Sequence, residues 1–230
     1  MKLALAALVF FMTLVLSSGC GPDNVTTSPA GTRTVAVDGG GVSPQSTVVV
    51  GMDDGWPLYA VPAQGFAVAL PPTWGQFDMD PETFDANLQT TLKRKPQLTS
   101  LTAIAREYLA AGNRFYGVDI NAIGKTFPTT ILVARPALQA DEFVQATVSA
   151  LEKSPGTEVG ERKRVKLKHG EAEEIQYKKK DGTVIFSVSL YVLTQPGDGP
   201  LLVLTTLTDR PNESAAVLKR IAEGVRFLDK

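Results

Sequence analysis

The stretch Glu171-Ala172-Glu173-Glu174-Ile175-Gln176-Tyr177-Lys178-Lys179-Lys180-Asp181-Gly182-Thr183-Val184-Ile185-Phe186-Ser187-Val188-Ser189-Leu190 decides the fold. Apolar side chains recur at every second residue on both sides of Asp181-Gly182, and alternation of period two is the signature of a half-buried strand. Asp-Gly is a strong two-residue hairpin signal. As the loop, it pairs Tyr177 with Phe186 and Ile175 with Val188, so that the apolar residues gather on one face. Upstream, a three-residue loop His169-Gly170-Glu171 pairs Val165 with Ile175 and Lys166 with Glu174. That register sets Arg164, Lys166 and Lys178 on the wet face together with Glu174 and Gln176.

Working outward, strands are expected over roughly 158–168, 172–180, 183–194 and 200–208. Successive strands without intervening helices imply an antiparallel sheet, and helices before and after it must cover that sheet. Asp80-Pro81-Glu82 starts a helix with an Asp cap, a first-turn Pro and an acid that suits the helix dipole; Pro96 stops it. A second helix carries Leu101, Ile104, Ala105, Tyr108 and Leu109 on one face and ends at Gly112. Arg114–Ile120 and Thr129–Arg135 are expected as strands. Asp141 caps a helix with Phe143, Val144, Thr147, Ala150 and Leu151 inward, closed by Pro155-Gly156. A last helix over Pro211–Glu223 turns Val217, Leu218 and Ile221 inward. The class is α+β.

Tyr59-Ala60-Val61 and Phe66-Ala67-Val68-Ala69-Leu70 form two short strands ended by Pro71-Pro72. The run Gly65-Phe66-Ala67-Val68-Ala69-Leu70-Pro71-Pro72-Thr73-Trp74 resembles the early strand of PsbP-like domains, LpqN-type lipoproteins among them. Ile221 to Leu228 is similar to that family's closing helix and tail, and the order of elements follows it over about residues 57–230. The resemblance implies an α/β/α sandwich around a central antiparallel sheet, in a family of mostly binding or accessory proteins. It carries over no catalytic residue and no photosynthetic role.

At the other end of the chain, Lys2 precedes an apolar run from Leu3 to Leu16, broken only by Thr13. That length suits a signal-peptide core and falls short of the roughly 20 residues of a membrane span. Leu16-Ser17-Ser18-Gly19-Cys20 resembles a bacterial lipobox, with the Leu one step earlier than usual and Ser17 in its place. The resemblance implies a diacylglyceryl thioether on Cys20 and cleavage before it. Two or three acyl chains anchor stably where one is marginal. Cleavage removes one charged residue, Lys2, and moves the formal charge from −1 to −2. Residues 1–19 are then a signal peptide and 20–55 a lipidated, flexible linker, rich in Gly, Pro, Ser and Thr, in which Val48-Val49-Val50 can pair as a short strand. Residues 56–230 form one domain. As a coil the linker spans roughly 30–35 Å.

Composition narrows the chemistry. One Cys and one His preclude a Cys/His zinc site, an iron–sulfur cluster or a disulfide framework, and a net charge near zero argues against a nucleic-acid partner. Gly124-Lys125-Thr126 lacks the opening glycine of a phosphate loop, since Asp119 occupies that place, and Phe127-Pro128 denies it the following helix. Gly39-Gly40-Gly41 lacks a dinucleotide setting. Asp78, Asp80, Glu82 and Asp85 do not match a calcium loop. His169, at a hairpin tip, lacks a positioning partner in the sequence pattern.

What remains is a lipid-anchored extracytoplasmic binding or accessory protein without catalysis, cofactor or metal. Its partners are the membrane through Cys20 and a protein of the cell envelope, with Arg164, Lys166 and Lys178 as a candidate patch for an anionic partner. A hydrolase is the alternative and requires Asp78 or Glu174 in a convergent pocket. A small-molecule or lipid carrier is the other, and requires an apolar cavity between sheet and helices.

Overall fold

Alternating side chains along 157–208 build the outer half of a seven-stranded antiparallel sheet. The computed structural model describes residues 47–124, 127–194 and 201–228. Within them β1 (Val48–Asp53), β2 (Trp56–Val61), β3 (Phe66–Ala69) and β11 (Arg226–Phe227) form a four-stranded sheet in that order. The larger sheet runs β4 (Trp74–Asp78), β5 (Asn113–Asp119), β6 (Thr130–Ala134), β10 (Leu202–Thr208), β9 (Val184–Leu193), β8 (Gly170–Asp181) and β7 (Thr157–Leu167). Helices α1 (Phe84–Arg94), α2 (Thr102–Ala110), α3 (Ala140–Lys153) and α4 (Pro211–Gly224) complete an α+β fold.

Directly paired residues of an antiparallel sheet share a face, so the register traces which layer covers which side. One row runs Tyr116–Leu132–Thr205–Leu190–Ile175 from β5 to β8. Its β5–β6 end packs with Phe84, Leu88, Ala105 and Tyr108 of α1 and α2, and its far end with Phe143, Val144 and Leu151 of α3. Those three helices therefore cover one face. The neighbouring row, Phe115–Val133–Leu204–Tyr191–Glu174–Lys163, lies on the other face. There Phe66, Val68 and Leu70 of the small sheet and Leu218, Ile221 and Ala222 of α4 close the core.

Two loops depart from the expected register. Between β8 and β9 the loop is Gly182-Thr183, because glycine takes the first loop position at φ +57°. Tyr177 accordingly pairs with Val188 and Lys179 with Phe186. This shift of two leaves every side chain on its expected face. Between β7 and β8 the loop is the two residues Lys168-His169, and Val165 pairs with Ala172 where Ile175 was expected. That shift is odd, so faces exchange. Val165 and Leu167 thereby enter the core beneath the small sheet. A bulge at Gly160-Glu161 then returns Val159 to the α3 side, opposite Tyr177.

The helix starts differ slightly. The carboxylate of Asp80 accepts from the Glu82 N–H at 3.0 Å and its carbonyl from the Phe84 N–H, so the first turn begins at Asp80 although regular helix begins at Phe84. Gln139 holds the cap position of α3, and Asp141 lies in its first turn. The fold also reaches upstream of Trp56: β1 extends the Val48–Val50 pairing to Asp53. Residues 195–200 and 125–126, and with them Lys125 and Thr126, lie outside the described residues.

Candidate functional site

Across β8 to β10 the face away from α3 changes character. Its rows there read Tyr191–Glu174–Lys163, Thr206–Ser189–Gln176 and Thr208–Ser187–Lys178. Helix α4 runs over this polar floor without closing it, leaving a groove of about 780 Å3. Pro211, Ala215, Leu218, Lys219 and Glu223 form the helical wall. The helix is set at that height by a buried hydroxyl trio: Thr129 and Thr208 lie 3.0 Å apart, and Ser214 of its first turn lies within 3.1 and 3.2 Å of them.

Glu174 is the singular residue of the floor. Its side chain is 7% exposed, yet it is a carboxylate. The Gln176 amide donates to it at 2.9 Å, and the Lys163 ammonium stands 3.8 Å away, itself 41% exposed. Burial, and then the charge of Glu174, push the Tyr191 phenol well above its ordinary range, so Tyr191 stays a neutral donor beside the carboxylate. A groove with a buried acceptor, hydroxyls and lysines along its lining can hold a polar ligand or a partner's segment.

A second cluster fastens one end of this groove. At the β7–β8 tip, Lys168 Nζ reaches Asp53 Oδ1 at 2.5 Å and Asp54 Oδ2 at 2.9 Å. His169 Nε2 stands 3.5 Å from Asp53 Oδ2 and 3.3 Å from Arg226 Nη1. Arg220 of α4 donates to the Asp54 carbonyl and stacks on Trp56 at 3.9 Å. Lys168 above all holds the Asp53 carboxyl below the usual carboxylate range.

The residues singled out in the sequence are dispersed. Arg164 lies opposite Glu173 and Lys166 opposite Glu171, in rows that alternate with the Lys163–Glu174 row, because the shortened β7–β8 loop exchanges faces. Lys178 faces the groove and Lys166 borders its rim, so the three do not share one face. Asp78 lies on β4, with four strands between it and the Glu174 strand in the sheet order, and the two carboxylates do not converge. Burial pushes the Asp78 carboxyl up, while the Thr47 N–H and the Asn87 amide donate to it at 3.0 Å each. Asp85 pairs with Arg106 at 2.6 Å, tying α1 to α2. No group of three or more metal-ligating side chains occurs among the described residues. His169 sits at the expected tip, but its ring is 25% exposed and faces Asp53 and Arg226. Cys20 and Gly39-Gly40-Gly41 lie outside the described residues, and no helix among those described is long and apolar enough to cross a membrane. The groove escaped the sequence reading because its floor is defined by the β7–β8 register; the signal that could have found it is the alternation Val165, Leu167 against Ala172, Glu174.

Comparison with known proteins gives no match to a family model and none to a curated protein. Among solved structures, LpqN of Mycobacterium tuberculosis, described as involved in cell envelope biogenesis, is 13% identical, with 71% of this chain and 83% of that chain covered at a TM-score of 0.46. The cyanobacterial PsbP of Synechocystis sp. PCC 6803 is 13% identical, with 83% and 98% covered and a TM-score of 0.45. The likeness is to PsbP-like domains. The immunity protein TplEi of Pseudomonas aeruginosa is also similar, at 10% identity, 71% and 94% coverage and a TM-score of 0.36. At these identities the likeness is one of fold alone.

Proposed function

We propose that this chain is a lipid-anchored accessory protein of the bacterial cell envelope that binds a partner in the groove between α4 and the β8–β10 face, and performs no chemistry of its own. The observation that carries the reading is Glu174: a buried carboxylate at the floor of an open groove, whose ion-pair partner among the described residues, Lys163, stands 3.8 Å away and is itself 41% exposed. Burying a charge is costly, and such a site is stabilised when a bound donor completes its coordination. Lys178 and Lys219 at the rim supply attraction for acidic groups of the same partner. Lipidation at Cys20 and the linker to residue 47 supply the location. A small-molecule carrier is the second reading, favoured by the groove volume of about 780 Å3, which is of small-molecule size.

The test is capture from native membranes with the lipidated protein, comparing the natural chain with Glu174→Gln and Lys219→Glu. Both variants should fold and lose the retained partner by at least tenfold, while Cys20→Ala should release the protein from the membrane. Retention of the same partner by both groove variants, or saturable turnover of an ester, glycan or phosphate substrate, would remove the reading.

A further inference from the structure

We infer that the β1 end of the fold is a membrane-docking surface, which seats the domain on the outer surface of the bilayer that holds its anchor. This rests on the proposed lipidation of Cys20. Strand β1 is the outer edge of the small sheet and carries Val49, Val50 and Met52, which are 60, 54 and 63% exposed. Among the described residues the other exposed large hydrophobic ones, Val184 and Ile185, sit apart at the β8–β9 hairpin. A bulge between Val49 and Gly51 shifts the register so that Val49 and Met52 lie opposite Tyr59 and Pro57 and fall on one face. Edge strands of soluble domains are commonly guarded by charge. The exposed stretch Val49–Met52 has none.

Two further observations name the occupant. First, β1 is the element of the described fold nearest to Cys20 along the chain, so an anchor on Cys20 reaches this end of the domain through the shortest stretch of chain. Second, the apolar strand runs directly into the cluster where Lys168, Arg220 and Arg226 surround Asp53 and Asp54, with His169 beside them. Three full positive charges against two carboxylates leave a cationic margin beside an apolar strip. Apolar side chains that enter the headgroup boundary, flanked by basic residues that meet anionic lipids, are the pattern of an interfacial contact. Tethering makes the encounter intramolecular, so a patch too small to bind on its own can still be occupied. The groove, which begins at the same β7–β8 tip, then opens along the bilayer surface.

The experiment uses the mature lipidated chain in phosphatidylcholine vesicles containing phosphatidylglycerol. With Cys20 acylated no thiol remains, so Met52→Cys takes a single spin label. Ile185→Cys is the control, 54% exposed and at the opposite end of β8 from Lys168, roughly 35–40 Å away along the 12-residue strand. The expected result is a label at 52 reached several-fold better by oxygen than by a water-soluble nickel complex, the reverse at 185, and loss of the difference when Val50→Glu is added. Equal accessibility at the two sites in vesicle-bound protein overturns the docking surface and leaves the anchor standing. Protein that washes off the vesicles overturns the anchor, and the orientation argument with it.

Discussion

The two faces of β8, β9 and β10 are made by the same strands and the same alternation, and they end differently. On one, Ile175, Tyr177, Val188 and Leu190 meet Phe143, Val144 and Leu151 of α3 and exclude water. On the other, Glu174, Gln176, Ser187 and Ser189 look toward α4 across a groove. A face covered along its whole length selects apolar residues, because burial is what offsets ordering. The face that α4 leaves partly open keeps hydroxyls, an amide and a carboxylate, the groups on which the proposed recognition rests. Paired truncations break this comparison most strongly. Ile175→Ala, at a fully buried position, should cost about 2–5 kcal/mol. Its counterpart across the sheet, Ser189→Ala, should change stability by about 0.5 kcal/mol or less. Urea unfolding of both variants measures the contrast, and equal losses would show that the groove face is as much core as the α3 face.

Strand β7 shows how one strand serves both faces. Val159 joins the α3 core, and beyond Gly160-Glu161 the residues Val165 and Leu167 join the opposite one. The bulge needs room: a Cβ on Gly160 would stand 3.2 Å from the carbonyl oxygen of Gln176, a backbone atom that cannot swing aside. Gly160→Ala should therefore destabilise the chain by about 1 kcal/mol. It should also raise amide exchange along Arg162–Leu167 more than along β9. Unchanged exchange in that segment would separate the bulge from the placement of Val165.

The strand block, the four helices and the α+β class follow from periodicity and turn residues, since Asp181-Gly182, Pro96, Gly112 and Pro211 act locally. The β8–β9 register was missed by a shift of two and kept its faces, because any even shift preserves them. The β7–β8 register was missed by an odd shift, and that decided the site. Lys168-His169-Gly170-Glu171 is compatible with loops of two or three residues on local grounds. What chooses is tertiary: Val165, Leu167 and Ala172 fit under the small sheet only with the shorter loop. Glu174 was legible as a candidate carboxylate but not as a buried one, for its burial depends on α4, whose height is fixed by Thr129, Thr208 and Ser214. None of the three is adjacent to Glu174 in the chain.

The fastening of the open face to the small sheet is the finest difference between the two faces, and it is the one that responds to pH. The α3 face is closed chiefly by apolar contacts, and burial keeps the Tyr177 phenol there neutral. The groove end is closed through Asp53, whose carboxyl the Lys168 hydrogen bond holds below its ordinary 3.8. A carboxylate with a depressed folded value binds protons more readily when unfolded, so its contribution is complete above the unfolded value and lost as the pH falls through the folded one. Asp53→Asn should thus lower stability near neutral pH by a small amount, because Lys168 and Asp54 are well exposed and solvent screens them. The gap between natural and variant chains should close as the pH drops below about 4. Thermal unfolding across pH 3 to 7 reads it, and high salt should narrow it at the upper end. A gap that stays constant over that range would mean that Asp53 holds the β7–β8 tip by shape and hydrogen bonding alone, and that the open face, like the closed one, is fastened without charge.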